Sequence, residues 1–172
     1  MDALELVRDF VNTADLEDGE EKLADPRALQ YWLVFHGLAE LGDRATRSDL
    51  ERALEVREAL RELLRAHTGV EVDTDGASAV LDSAARELGL SVRFTGGVVE
   101  FAPRGRGLGG VLAAVARAMA DGSWERLKAC RSDTCRWAFI DNARNHSRQW
   151  CDMKVCGNRA KARAFRARHG GD

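Results

Sequence analysis

Residues 130–168 read CRSDTCRWAFIDNARNHSRQWCDMKVCGNRAKARAFRAR, and this stretch decides how the C-terminal part of the chain folds. It contains all four cysteines of the protein, as two Cys-x4-Cys pairs separated by fifteen residues. Each short pair can bind a metal from one turn of backbone, and four thiolates complete a tetrahedral shell around zinc. The sequence therefore predicts one structural Zn²⁺ ion bound by Cys130, Cys135, Cys151 and Cys156.

Two disulfides are an alternative that the cysteine spacing leaves open. The N-terminal MDALELVRDF is acidic, and charges break its apolar run, so it does not resemble a signal peptide. We therefore expect a cytoplasmic protein, and in that reducing compartment cysteine pairs more often hold metal than form disulfides. Four thiolates also close the metal shell. Because no paired carboxylates and no nucleophile–histidine arrangement stand out, we expect no enzymatic activity.

Charge is divided unevenly along the chain. Residues 123–172 carry twelve Lys and Arg against five Asp and Glu, whereas residues 1–122 carry fourteen against twenty-three. The two parts have net charges of +7 and −9, which together give the total of −2. This change of composition predicts a first domain over 1–122 and a zinc-binding module over 123–172. A basic module of this kind is typical of a polyanion binder, and we expect DNA as its partner.

A helix of about ten residues is predicted after the last cysteine. Asn158 is a good N-cap for it, and Gly157 permits a tight turn beside the metal. At 100° per residue, three basic side chains share one face of this helix, whereas its apolar face can pack on the module. The basic face comprises Arg159, Arg163 and Arg166; the apolar face comprises Ala160, Ala164 and Phe165.

Aligned arginines suit the major groove of DNA, where guanidinium groups can contact guanine edges or phosphates. The candidate DNA-binding residues are Arg144, Arg148, Lys154, Asn158, Arg159, Lys161, Arg163 and Arg166. Lys128, Arg131 and Arg136 are candidates for further contacts with the DNA backbone. The aromatic residues near the cysteines, Trp137, Phe139 and Trp150, are expected to form the small core of the module.

The same stretch closely resembles the CGNR-type zinc finger, whose signature stands here as Cys156-Gly157-Asn158-Arg159. The resemblance covers nearly all of residues 124–168 and departs from the pattern at Ala143, where a hydroxyl residue is expected. It includes Phe139, Asp141, Arg144, Asn145, Arg148, Trp150, Cys151, Ala160 and Lys161.

The N-terminal part, through Asp9-Phe10-Val11-Asn12-Thr13 and its overall layout, resembles the stress-response domain called ABATE. That domain precedes this finger in bacterial transcription regulators. The resemblance implies a regulator that binds DNA through the finger, with an N-terminal domain that receives a signal or mediates assembly.

A second hypothesis is a zinc-held protein-interaction module. In this case the basic face docks an acidic protein, such as RNA polymerase or the acidic N-terminal domain of the same chain. The sequence does not separate the two hypotheses. It also leaves open whether a small-molecule effector binds and whether the chain forms a homo-oligomer.

The whole chain is predicted to be mostly α with one small antiparallel β-hairpin (α+β), followed by a treble-clef-like zinc finger. Helices are expected over about 25–35, 46–67, 75–88 and 111–120, and residues 91–94 and 98–101 form the hairpin around Gly96-Gly97. Residues 4–11 fit either helix or strand, and residues 12–21 read as a loop. Within the finger we expect a short hairpin between the cysteine pairs and a helix starting at the second pair. No apolar run approaches the ~20 residues of a membrane span, so we expect no membrane association.

One charged residue falls inside an apolar helix stripe. Arg57 lies between Leu50 and Leu64 on the wheel of the longest predicted helix, and a buried guanidinium needs a partner. One interpretation is a structural ion pair with Asp9 or a helix neighbour. The other is an anion-binding residue in a ligand pocket completed by Asn12 and Thr13.

Overall fold

The structure is a computed structural model that describes residues 2–169. Within that range the chain forms six α-helices and three two-stranded antiparallel sheets, which confirms the mostly helical fold with small antiparallel β elements. None of the helices found between residues 2 and 169 is long and apolar enough to cross a membrane.

The elements follow one another along the chain in a simple order. The helices are α1 (Ala3–Val11), α2 (Pro26–Phe35), α3 (Arg47–Ala66), α4 (Thr74–Glu87), α5 (Gly109–Ala120) and α6 (Asn158–His169). The strands are β1 (Ala14–Asp15), β2 (Glu20–Glu21), β3 (Ser91–Thr95), β4 (Val98–Ala102), β5 (Leu127–Ala129) and β6 (Ala138–Ile140). Each strand pairs with its neighbour in sequence, as β1–β2, β3–β4 and β5–β6.

Side-chain caps set the starts of the first helices. The Asp2 carboxylate accepts from the N–H of Leu4, so the ambiguous segment 4–11 is helical. Asp25 caps α2 ahead of Pro26, as the sequence predicts. At α3, Thr46 and Asp49 cap each other's backbone N–H groups in a capping box. These local hydrogen bonds explain why the predicted helix starts lie within a residue or so of the observed ones.

One hydrophobic core runs across the predicted boundary at residue 122. Val7 and Phe10 of α1 and Leu60 of α3 lie in the same buried cluster as Leu127 of β5 and Ala138 of β6. The zinc-binding segment is therefore packed against the N-terminal helices through β5 and β6, which contact α3 and α1. The division into domains 1–122 and 123–172 stays a prediction. The core that they share argues against independent folding of the second part.

The hairpin of the C-terminal segment was predicted in the wrong place. Its strands β5 and β6 flank the first cysteine pair, with Cys130 and Cys135 in the connection between them, instead of lying between the two pairs. The reason is packing: β5 and β6 carry the apolar residues Leu127, Ala129 and Ala138 that fill the common core. The predicted loop over 12–21 also contains the short β1–β2 hairpin.

Candidate metal centre and nucleic-acid interface

The four cysteine sulfurs converge on one point. The Sγ atoms of Cys130, Cys135, Cys151 and Cys156 all lie within 4.8 Å of one another. The sulfurs of Cys135 and Cys151 are 3.6 Å apart, and those of Cys151 and Cys156 are 3.8 Å apart. Tetrahedral zinc with bonds of about 2.3 Å requires sulfurs about 3.8 Å apart, whereas a disulfide requires about 2.05 Å. The four thiols are free, so the geometry fits one structural zinc ion and not two disulfides.

Backbone hydrogen bonds hold each pair in a compact turn. The N–H of Cys130 donates to the Trp137 carbonyl at 2.9 Å, and the N–H of Cys135 donates to the Ser132 carbonyl at 3.1 Å. Cys156 lies in a single π-helical turn, Met153–Gly157, whose first N–H groups donate to the Asp152 carboxylate. An Arg131–Gln149 backbone hydrogen bond of 2.9 Å joins the two halves. Half of the ligand shell therefore follows β5 and half precedes α6.

The protonation of the four thiols is strongly coupled. Hydrogen bonds from Cys135 and Cys151 lower the pKa of Cys130, and the hydrogen bond to Cys130 raises the pKa of Cys135 to about 12. The pKa of Cys151 rises as well, because it also hydrogen-bonds to Cys130 and Cys135. Ionisation of one sulfur therefore opposes ionisation of its neighbours. A divalent cation offsets the repulsion between neighbouring thiolates, because its charge stabilises several of them together.

The turn into α6 differs from the prediction in two details. Asn158 is not an N-cap: it is already helical, and its amide donates to the Lys154 carbonyl at 3.0 Å. Gly157 does not have the positive φ that favours glycine. Instead, a Cβ atom at this position would lie 2.2 Å from the Met153 sulfur. Met153 is 57% exposed and its thioether can turn aside, so this contact favours glycine only weakly and no unusual backbone angle demands it.

A buried ion pair organises the loop beside the metal centre. Lys128 donates to the Asp141 carboxylate at 2.9 Å and also to the His146 carbonyl. Asp141 in turn accepts from the N–H groups of Ala143 and Arg148, at 3.0 and 2.9 Å. Lys128 was expected to contact DNA, and this is wrong, because both members of the pair are buried. At Ala143 the turn is made by its backbone N–H, which needs no side-chain hydroxyl.

Two side chains from the N-terminal part, Asn12 and Arg61, form hydrogen bonds with the backbone of the zinc-binding segment. The Asn12 amide bonds to both the carbonyl and the N–H of Ala138, at 2.9 and 2.8 Å. The fully buried Arg61 donates to the Val11 carbonyl at 2.8 Å and to the Arg136 carbonyl at 3.1 Å. Burial lowers the pKa of Arg61, although its ion pair with Glu58 opposes this. Arg61 therefore binds backbone oxygens on both sides of the predicted domain boundary at residue 122.

Further contacts come from the end of α3. Arg65 pairs with Asp133 at 2.5 Å, and the Thr68 hydroxyl donates to the Ala129 carbonyl at 3.1 Å. Sequence reasoning did not find these residues. The available signal was the spacing of Arg57, Arg61 and Arg65 at every fourth position, which places three guanidinium groups in one row along α3.

The three candidate pocket residues do not gather around one cavity. Arg57 is 5% exposed and donates to both oxygens of Glu21 at 2.7 Å, to Glu58 at 2.8 Å and to the Thr13 hydroxyl at 3.2 Å. Burial by itself would lower the pKa of Arg57, but the hydrogen bonds to Glu21 and Glu58 outweigh it and raise the pKa. The structural ion pair is therefore present: Arg57 pairs with its helix neighbour Glu58, as one of the predicted alternatives had it, and also with Glu21. Asp9, the other predicted partner, pairs with Arg8.

A cleft of about 900 Å³ lies between α1, α2 and the zinc-binding segment. Asn12 and Thr13 line it, together with Trp32, His36 and Trp137, but Arg57 does not. A ligand site that uses all three predicted residues at once is not formed by this arrangement, and effector binding in the cleft stays a prediction.

Helix α6 projects its side chains into solvent. Residues 161–169 are all exposed, including Lys161, Arg163 and Arg166. The prediction that Ala164 and Phe165 pack on the module is wrong: Phe165 is 57% exposed and stacks on His169 within the helix. Its main contacts are with the π-helical turn that precedes it directly in the sequence.

The other candidate DNA-binding residues differ in how they are engaged. Arg144 and Lys154 are exposed. The guanidinium of Arg148 lies over the Phe139 ring, 4.9 Å from its centre, and donates to the Cys151 carbonyl at 2.7 Å. Arg159 forms an ion pair with Glu17, which lies in the β1–β2 connection of the N-terminal part. Thus some of these cations face solvent, and others already have partners within the chain.

Comparison with protein families gives two matches in the order that the sequence suggests. Residues 126–169 match the model of the CGNR zinc finger. Residues 4–122 match the model of the ABATE family, described as "Putative stress-induced transcription regulator". No curated protein matches the chain. Both families are regulatory or zinc-finger types and not enzymatic ones. The chain belongs to the ABATE family and carries a CGNR zinc finger after that domain.

Proposed function

We propose that this protein regulates transcription by binding DNA through α6 and the basic loop before it. The observation that carries the proposal is the strong positive charge and the exposure of α6. Its twelve residues include five Lys or Arg and no Asp or Glu, and none of its side chains is buried.

The physical argument concerns what stabilises such a helix. Helices of this length are marginal in water, and most gain their stability by packing an apolar face. Helix α6 has no buried face, and Arg159 and Arg163 are like charges at i,i+4, a spacing that destabilises a helix. A polyanion removes the charge repulsion and fills the missing contacts. A partner of that class is therefore what this helix lacks.

The dimensions and the anchoring of α6 suit double-stranded DNA. A helix with its side chains is about 10–12 Å across, and the major groove is about 12 Å wide. Cys156 lies two residues before Asn158, so zinc binding at the sulfurs sets the direction in which α6 leaves the protein. In this account zinc has a structural role, and the guanidinium groups make the DNA contacts.

Fluorescence anisotropy with zinc-loaded protein and a random-sequence DNA duplex tests the proposal. If about six phosphates are neutralised, the logarithm of affinity should fall against the logarithm of salt concentration with a slope near −5. The double variant Arg163→Gln, Arg166→Gln should bind more weakly and reduce the slope by about two. Selection of bound sequences from a random pool then identifies an operator.

The matched control removes the same charge elsewhere. Arg93 and Arg117 are also exposed, on β3 and α5, so the double variant Arg93→Gln, Arg117→Gln changes net charge equally without touching α6. It should retain the wild-type slope. Equal losses of DNA affinity in both double variants would overturn the proposal. So would the absence of any anisotropy change when zinc-loaded protein is added to the duplex at low salt.

A second candidate function is docking of an acidic protein surface, and one contact favours it. Arg159 binds Glu17, so the basic helix already engages an acidic segment of its own chain. Binding of an acidic protein by a sample that does not retard DNA would favour this alternative.

The proposed regulator needs an input, and we assign it to the cleft lined by Asn12 and Thr13. A ligand there touches both the N-terminal helices and the zinc-binding segment, so it could alter how they pack. Trp32 and Trp137 both line the cleft, which makes intrinsic fluorescence a direct readout in a metabolite screen. Replacing both tryptophans by Phe should remove the fluorescence response of any true ligand.

A further inference from the structure

The β3–β4 hairpin carries an apolar face that residues 2–169 leave largely uncovered. In the antiparallel register Val92 lies opposite Phe101, and Phe94 lies opposite Val99, so these four side chains share one face. The other face carries Arg93 opposite Glu100 and Thr95 opposite Val98, so it is mostly polar with one exposed valine. Alternation of this kind is typical of a hairpin that packs its apolar face against something and leaves its polar face in water.

Among the described residues, little of this face is buried. Phe94 is 82% exposed, Val92 is 51% exposed and Val99 is 50% exposed. Helix α5 packs against β4, and only the end of that strand, Phe101 and Ala102, is half-buried. An isolated two-stranded hairpin is marginally stable in water unless a further layer covers its hydrophobic face.

The exposed apolar surface continues beyond the hairpin. Leu90, the residue before β3, lines a groove of about 210 Å³ between α3, α4 and α5, with Leu81 and Met119. Met119 is itself 46% exposed. Phe94 alone presents about 160 Å² of surface, and the hairpin face with the groove offers on the order of 400 Å².

This area fits a second copy of the chain. A standard interface buries about 800 Å² on each partner, slightly more than half of it apolar, so about 450 Å² of apolar surface is needed. An isologous two-fold contact also requires a surface that is complementary to itself. The hairpin face carries no charge, so two copies can meet there without like-charge repulsion, and the hairpin's charged residues, Arg93 and Glu100, oppose each other on the back.

We propose that the protein forms a two-fold dimer in which the Val92–Phe94–Val99–Phe101 faces of two copies pack against each other. The contact leaves α6 outside the interface in both copies. The dimer is independent of whether α6 binds DNA, because it is assembled by different residues and is measured without DNA.

Sedimentation velocity of the full zinc-loaded chain over a range of concentrations tests the proposal. Wild type should sediment as a dimer that dissociates on dilution. Phe94→Glu should raise the dimer dissociation constant by at least about 30-fold, because it places a charge at the centre of the contact. Circular dichroism should remain that of wild type, since an 82% exposed side chain supports little of the fold.

Two control variants identify the surface. Phe35 is 83% exposed on α2, so Phe35→Glu makes the same chemical change at nearly the same exposure and should leave the dimer intact. Arg93→Gln changes the back of the hairpin and should also leave it intact. A monomeric wild type overturns the proposal and shows that another molecule covers the face, or that nothing does. An unaffected dimer in Phe94→Glu, or dissociation by Phe35→Glu as well, also overturns it.

Discussion

The amide of Asn12 and the backbone of Ala138 exchange two hydrogen bonds, of 2.9 and 2.8 Å, across 126 positions of sequence. The primary amide thus takes the place of a strand neighbour for β6. Since β6 begins three residues after Cys135, the residue that ends α1 holds one side of the metal centre in place. This contact joins the ABATE domain to the zinc finger, although the sequence presents their residues as two separate motifs.

Asn12→Ala should destabilise the whole chain by about 2–4 kcal/mol, because it leaves a buried N–H and a buried carbonyl without partners. Urea unfolding followed by circular dichroism measures the change. Asn145→Ala, at an exposed site, is the control and should shift the unfolding free energy by less than about 0.5 kcal/mol. Equal stability of Asn12→Ala and wild type would show that the coupling is not energetically important.

Removal of the metal should destabilise the N-terminal helices as well as the finger. Metal analysis should find one zinc per chain, and a chelator should lower the Tm of a single cooperative transition, because β5 and β6 share the main core. Zinc present at about a thousand times its dissociation constant adds about 4 kcal/mol of stability.

Cys135→Ser is the control for this experiment. It should have a low Tm that the chelator does not lower further. An early transition confined to the finger, with the remaining helices melting at an unchanged temperature, would contradict the coupling.

Asp141→Asn should lower stability by about 3–5 kcal/mol at neutral pH, because Lys128 stays buried without its counter-charge. Burial by itself raises the pKa of Asp141, but hydrogen bonds from Lys128 and from the N–H groups of Ala143 and Arg148 outweigh it and lower the pKa below 3.8. A carboxyl group whose pKa is depressed by folding contributes stability above its unfolded value. That contribution is lost as the pH falls through the folded value.

The difference between Asp141→Asn and wild type should therefore shrink in acid, which urea unfolding at neutral pH and below pH 3.8 measures. Asp18→Asn, at an exposed site, is the control. It keeps Asp141 and loses metal in acid as wild type does, so it corrects for destabilisation that comes from metal release. A difference that stays constant with pH would show that the Asp141 charge is not the cause.

Glu17→Gln should strengthen DNA binding, by about two- to fivefold at low salt, because it releases Arg159 from an exposed ion pair of modest strength. Fluorescence anisotropy of the variant and wild type measures the effect. Glu51→Gln removes the same charge from an exposed site on α3 and corrects for the general change in net charge. Equal affinities of the two variants would mean that Glu17 does not restrain Arg159.

Local patterns in the sequence were sufficient for the metal ligands and for most elements. The two cysteine pairs converge because each is closed by a turn of a few residues, and Asp25, Thr46 and Gly96-Gly97 mark helix starts and a hairpin through bonds to near neighbours. The candidate cations of α6 could be identified for the same reason, since helical spacing alone places them on one face.

Only the tertiary structure decided which faces meet. Lys128 is buried against Asp141, although the sequence suggested an exposed DNA contact. Phe165 is exposed, although the sequence suggested that it packs on the module. Arg61 and Asn12 find backbone oxygens and N–H groups in the finger that no short-range signal indicates. The physical reason is that a buried polar group accepts any partner of the right geometry, and that partner can lie more than a hundred residues away. The residues of this chain therefore specify a zinc finger locally, while its attachment to the N-terminal helices depends on long-range packing.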